Sequence, residues 1–291
     1  MNQILVVGAT GNIGSKVVSQ LAAKGAPVRA LSRNPETAHF PSSVEVVRGD
    51  ITAPESLDAC LPGIDAVFMV WTAPPATFAD VLGRIARHAR RLVFLSAPLK
   101  TQHPLFQQPN PLRTITMEFE RLIEASGIEW TFLRPGMLAS NALLWWAPQC
   151  RRGDEVRWPC LSAPTAPIDE RDIAAVAVRA LLEEGHASAE YVLTGPESLT
   201  QSEQISTIGR AIGRALRPVE IPAEQWRLEL PFGQVATNML LNAWIAAIGQ
   251  PAHMTNTVAE LTGRPARTVF EWATTYADNF QVSTDAAATA G

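Results

Sequence analysis

The chain has 291 residues, 47% hydrophobic and 18% charged, so it can bury a sizeable core and global disorder is excluded. The 24 basic against 28 acidic side chains leave a net charge of -4, without the basic excess of a dedicated nucleic-acid binder, so no nucleic-acid partner is expected. Three cysteines, Cys60, Cys150 and Cys160, fit neither a disulfide framework nor a metal motif, and they predict buried or incidental thiols in a reducing cytoplasm.

In chain order, apolar runs at 3–7, 28–31, 44–48, 66–70, 92–95 and 130–133 predict strands. Helical stretches at 12–24, 76–90 and 112–126 lie between them, with shorter turns near Pro35 and Pro54. Strands at this rhythm with helical crossovers predict an α/β, doubly wound parallel sheet over residues 1–135. The first apolar run, Ile4 to Val7, enters a glycine loop at once, so no signal peptide is expected.

That loop reads Gly8-Ala9-Thr10-Gly11-Asn12-Ile13-Gly14, after a strand and at the opening of a helix. The first glycine permits the turn, the second lets backbone approach a pyrophosphate, and the third allows helix and strand to pack. The helix N-terminus then presents free N–H groups and a partial positive charge to the phosphates. Strand before and helix after make this a dinucleotide site. At the end of the second strand, where an NAD site would carry Asp or Glu, stand Ser32 and Arg33. Arginine matches a 2′-phosphate with two parallel hydrogen bonds, which predicts NADP(H) as the cofactor. Asp50, followed by Ile51 after the third strand, falls where the adenine edge is expected.

Beyond Pro135 aromatics and prolines increase, and a mixed region over 136–281 is expected. Strands and helices return to the sheet there, beside a smaller, mostly helical C-terminal lobe. A helix is placed behind Asp172 as N-cap, running to Leu182, then a strand at 191–193, a helix at 201–214 and an edge strand at 218–221. The stretch 230–259 has no Asp, Glu, Lys or Arg but is broken by Pro231 and Pro251, and it reads as a soluble helix with no membrane span. Its residues Gln234, Asn238 and Asn242 form a polar stripe that faces solvent or a pocket, while its apolar remainder packs on the domain or forms a homodimer interface. Residues 282–291 look like a disordered tail.

Several marks together resemble the NmrA-like group of atypical short-chain dehydrogenase/reductases. They are GATGNIG, Ser32-Arg33-Asn34-Pro35, Gly49-Asp50, SGIEWT leading into Leu133-Arg134-Pro135-Gly136, IDERDIA from Ile168, and Leu261-Thr262-Gly263-Arg264-Pro265. The resemblance spans roughly residues 1–280. It implies a cofactor lying across the strand ends, with Thr72 and Ser96 flanking ribose and nicotinamide and Pro135 beside the carboxamide. That group includes quinone and dye reductases and also transcriptional redox sensors.

The chain departs from ordinary short-chain dehydrogenases in its proton supply. Those enzymes use a tyrosine with a lysine four residues later. Here Tyr191 is followed by Gly195 and Tyr276 by Phe280, and no lysine occurs after Lys100. The position where related reductases carry Lys or His is Thr116. Ser96 and His103 stand as catalytic candidates, a hydroxyl to hydrogen-bond a substrate oxygen and an imidazole to donate a proton. Trp71, Trp145 and Trp146 are candidate walls for a flat aromatic substrate. The leading expectation is an NADPH-dependent reductase of a small aromatic or conjugated acceptor. An NADP(H)-sensing regulator without turnover is the alternative, and a lyase, isomerase or cyclase on the same fold is a third.

Overall fold

A computed structural model describes residues 3–229 and 233–281. Its centre is a parallel sheet built from β1 (Gln3–Val7), β2 (Val28–Ser32), β3 (Val44–Arg48), β4 (Ile64–Met69), β5 (Arg91–Leu95), β6 (Glu129–Pro135) and β9 (Ala189–Leu193). The strand order is β3-β2-β1-β4-β5-β6-β9, with every neighbouring pair parallel. The order reverses between β1 and β4, where an open α/β sheet offers a ligand crevice at its carboxyl edge.

Alternation along β1 shows why both faces are apolar. Ile4 and Val6 join the cluster formed with α1 (Asn12–Ala23) and α7 (Glu170–Leu182). Leu5 and Val7 join the opposite cluster with α2 (Phe78–Ala86) and α4 (Pro111–Ala125). The six expected strands are all present. Pro35 and Pro54 open short 3₁₀ turns as expected, at Pro35–Thr37 and Pro54–Leu57. The expected helix at 76–90 is shorter, because Pro75–Thr77 forms a 3₁₀ turn before α2 begins.

A second core fills the C-terminal lobe. Around it lie α3 (Pro104–Gln107), α5 (Asn141–Trp145), α6 (Ala147–Cys150), α8 (Gln201–Ala211), α9 (Ala223–Glu229), α10 (Gln234–Ala247) and α12 (Val269–Thr275), while α11 (Thr257–Thr262) packs on the first core through Val258. Two small sheets pin them: β7 (Glu155–Trp158) runs parallel to β11 (Arg217–Glu220), and β8 (Pro164–Thr165) antiparallel to β10 (Leu199–Thr200). These pairs, apart from β11, lay outside the sequence expectation. Trp158, Trp226 and Trp244 meet at ring centroids 5.1–5.7 Å apart in this core, and Trp145 and Trp146 join them.

Two boundaries need correction. The N-cap before α7 is Asp169, whose carboxylate accepts from the backbone N–H of Arg171 at 2.7 Å. Asp172 instead sits fully buried in the first turn and pairs with the Arg267 guanidinium and its backbone N–H, clamping the C-terminal segment to the helix. Burial raises the Asp172 pKa, and Arg267 opposes that rise. The stretch 230–259 is not one helix: α10 ends before Ile248, and Gly249 follows with φ +80°. Gln234 and Asn242 are exposed and Asn238 is half-buried, so the polar stripe faces solvent. The expected tail at 282–291 lies outside the described residues. No helix among the described residues is long and apolar enough to cross a membrane.

Candidate functional site

The turn after β1 is set by Gly8, whose φ of +82° few side chains tolerate. A Cβ on Gly14 would fall 2.0 Å from the Gly8 carbonyl oxygen. The third glycine therefore serves the closure of the loop on itself, beyond the helix–strand packing expected of it. Gly11 caps α1 with no side-chain hydrogen bond, which leaves the first helical N–H groups for a ligand.

These atoms floor a cavity of about 590 Å³ along the carboxyl ends of β1, β2, β3 and β4. Gly8, Thr10, Gly11, Asn12, Ile13 and Gly14 line it on one side; Ser32, Arg33, Asp50, Ile51 and Thr72 continue the wall. Asp50 accepts from the Thr52 N–H at 2.9 Å and from its hydroxyl at 2.8 Å. Those two bonds hold the Asp50 carboxyl below its ordinary pKa, against a small effect of burial and with help from Arg33. Both bonds end on Oδ1, which leaves Oδ2 for an amino group. Arg33 is exposed, and no ion pair engages its guanidinium among the described residues. An uncapped helix start, an acidic acceptor and a free guanidinium along one trough suit the pyrophosphate, adenine and 2′-phosphate of NADP(H).

A second cavity draws its wall from neighbouring stretches of the chain. Leu95 and Leu138 line the first cavity, and their near neighbours Ala97 and Met137 line the second. The second cavity, about 130 Å³, is walled by Leu99, Leu105, Phe106, Met239, Leu240 and Trp244, with Gln108 and Asn110 as its polar members. No titratable side chain lines it among the described residues. Such a wall favours an uncharged, flat ligand held by dispersion and desolvation.

Ser96 stands between the two cavities in sequence, half-buried at the end of β5. Its hydroxyl donates to Glu120 Oε1 of α4 at 2.5 Å. Glu120 is 3% exposed and takes two bonds from Arg134, from Nε at 2.9 Å and from Nη2 at 2.7 Å. The third nitrogen of Arg134 reaches Glu190, which also binds Lys100 at 2.7 Å. Burial disfavours the Arg134 charge, but its two carboxylate partners outweigh that and raise its pKa above the ordinary value. Sequence reading passed over Glu120 and Arg134. The available signal was an arginine inside the apolar strand Trp130-Thr131-Phe132-Leu133-Arg134, which demands a buried partner.

The remaining candidates fall elsewhere. His103 is 9% exposed and caps α3: its Nδ1 accepts from the Leu105 N–H at 3.2 Å. Its Nε2 lies 2.9 Å from the Pro251 carbonyl oxygen. Pro135 is buried at the end of β6 and is absent from both cavity walls. Trp71 packs edge-on against Phe78 and Phe119 at 4.8 and 5.9 Å, within the α2–α4 core. Trp145 and Trp146 belong to the lobe's tryptophan cluster. The geometry brings none of these three indoles to the apolar cavity. Trp244, which the sequence left within an undifferentiated helix, is there instead.

Fold and trough together define a Rossmann-type dinucleotide-binding protein. The chain belongs to a family described as NAD(P)H-binding, whose model matches residues 8–184. It is 39% identical over 286 residues, 95% of this chain and 99% of the other, to a (4-alkanoyl-5-oxo-2,5-dihydrofuran-3-yl)methyl phosphate reductase from Streptomyces griseus. It is 34% identical over the same share of each chain to an NAD(P)H azoreductase from Xenophilus azovorans. The fold is similar to that of an NADPH-dependent quinone oxidoreductase from Escherichia coli solved with NADPH. That match has a TM-score of 0.78 at 22% identity and covers 94% of this chain and 99% of that one.

Proposed function

We propose that this protein is an NADPH-dependent reductase of a small, flat, conjugated acceptor of quinone, imine or dye type. The observation that carries the reading is that two stretches of chain wall both a dinucleotide trough and an apolar pocket: Leu95 and Leu138 line the trough, Ala97 and Met137 the pocket. Its reductase relatives support the same class of reaction.

Bound NADPH supplies the hydride. The chain's own residues do the rest. The start of α1 and Gly11 hold the pyrophosphate, Arg33 the 2′-phosphate, Asp50 the adenine edge, and Thr72 lies toward the ribose. Phe106, Met137, Met239 and Trp244 exclude water and hold the acceptor, so orientation carries most of the rate. No acidic side chain lines that pocket among the described residues. The favoured acceptors therefore disperse the incoming charge over a conjugated system, or are cations that become neutral, and water supplies any proton. NADPH oxidation followed against quinones, imines and azo or triphenylmethane dyes tests this. Tight NADPH binding with no turnover on any of them would instead mark a sensor.

A further inference from the structure

The run Gln108-Pro109-Asn110-Pro111 places each amide immediately before a proline. Proline crowds the residue ahead of it out of the helical region, so both amides sit on extended backbone, Gln108 at φ -70°, ψ 152° and Asn110 at φ -139°, ψ 111°. Side chains two apart on an extended chain share a side. Gln108 and Asn110 both line the apolar pocket, while Pro109 between them is exposed. Backbone engages half of each amide. Asn110 caps α4, its Oδ1 accepting from the Leu112 N–H at 2.8 Å. Gln108 Nε2 donates to the Pro104 carbonyl oxygen at 3.2 Å. Neither amide can be turned over, because an N–H needs an acceptor and a carbonyl needs a donor. What stays without a partner among the described residues is opposite in kind: the NH2 of Asn110 and the carbonyl oxygen of Gln108.

We propose that these two amides select the acceptor: Asn110 Nδ2 donates to a carbonyl oxygen of the conjugated ring, and Gln108 Oε1 accepts from an N–H or O–H that the same ring carries. The substrate class narrows to uncharged amino- or hydroxy-substituted quinones and their imine counterparts. This rests on the reading of the apolar pocket as the acceptor site. The selection has a physical cause. No charged side chain lines the pocket among the described residues, so a ring lacking the donor leaves the Gln108 carbonyl desolvated and unpaired. A ring that carries it satisfies both amides at once.

The probes are 2-aminonaphthoquinone and 2-methylnaphthoquinone, matched in shape and charge, of which only the first carries an N–H donor. Affinities are measured by calorimetry with saturating NADP⁺, which allows no turnover. The parent protein should prefer the amino compound by about two- to tenfold, the span of one net hydrogen bond. Gln108→Met, similar in length but without the carbonyl, should abolish that preference by weakening the amino compound alone. Asn110→Ser keeps the cap, since serine serves that position about as well as asparagine. It should weaken both quinones by a similar factor and preserve the preference between them. Thermal unfolding checks the fold of each variant, and if one does not fold the other decides. Equal affinities in the parent, a preference that persists in Gln108→Met, unchanged affinities in Asn110→Ser, or a parent that binds neither quinone would overturn the proposal. The expected binding pattern without NADPH oxidation would leave it standing and remove only the reductase reading.

Discussion

His103 Nε2 lies 2.9 Å from the Pro251 carbonyl oxygen while its Nδ1 receives the Leu105 N–H. A carbonyl accepts only, so Nε2 carries the proton, and Nδ1 must be bare to cap α3. The ring is engaged at both nitrogens and bridges the loop after β5 to the segment after α10, and the acid role read from the sequence finds no support in this geometry. Its neighbour His253, 6.2 Å away, has its pKa lowered by burial and then by His103. His103→Phe should therefore change the reduction rate only a few-fold and leave the pH profile in place. It should cost about 1 kcal/mol of stability through the lost cap. A rate loss of about 10²–10⁴-fold, the usual share of a general acid, would restore the catalytic reading.

If Arg33 holds the 2′-phosphate as proposed, it sets cofactor choice. Pairing with a 2′-phosphate is worth on the order of 1.5–3 kcal/mol, so calorimetry should show NADPH at least about tenfold tighter than NADH. Arg33→Ala should remove most of that margin with little effect on NADH. Equal affinities in the parent would remove the basis for the assignment.

The glycine loop can be tested at the position that tolerates least. Gly14→Ala puts a methyl 2.0 Å from the Gly8 carbonyl oxygen, backbone against backbone, so the loop must open. NADPH binding should be lost and Tm should fall. Gly83→Ala, where nothing lies within 4 Å in a helix, is the control and should gain about 0.5–1 kcal/mol. Normal NADPH affinity in Gly14→Ala would contradict the loop geometry.

Glu190 gives the network an acid-side signature. Burial raises its pKa, but the Arg134 and Lys100 hydrogen bonds more than offset this and set it below the ordinary value. A carboxyl lowered in the folded state contributes stability that is present above the unfolded pKa, about 4.3, and is lost as pH falls through the folded one. Glu190→Gln should therefore flatten the fall of Tm below about pH 4.3. An unchanged acid limb in Glu190→Gln would mean that the pair contributes nothing to folding.

The cofactor end of the molecule was legible because its signals are local. Strand periodicity, a glycine triplet and a helix start occupy residues 3–23, and Arg33 follows at the end of the next strand. The substrate end was not, because its wall is assembled from segments as distant as Ala97, Met137 and Trp244. Eight tryptophans were visible, but nothing local distinguishes the one that faces the pocket from those that pack on each other. Asp169 and Asp172 illustrate a finer limit: either suits an N-cap by type, and the choice depended on which one Arg267 buries from 95 residues away. Glu120 reads as one charge among several on a helix until the arginine in β6 supplies its partner.

In the proposed reaction, hydride leaves NADPH for an acceptor seated in the apolar pocket beside Trp244. The direct measurement is NADPH oxidation with a naphthoquinone and an azo dye, in the parent and in Ala243→Phe, which fills the cavity beside Trp244. Turnover in the parent, reduced about 10²-fold in the variant while NADPH affinity stays the same, is the expected result, since misplacing the acceptor by an ångström is enough for such a loss. Equal turnover in the two proteins would place the reaction elsewhere and contradict the account.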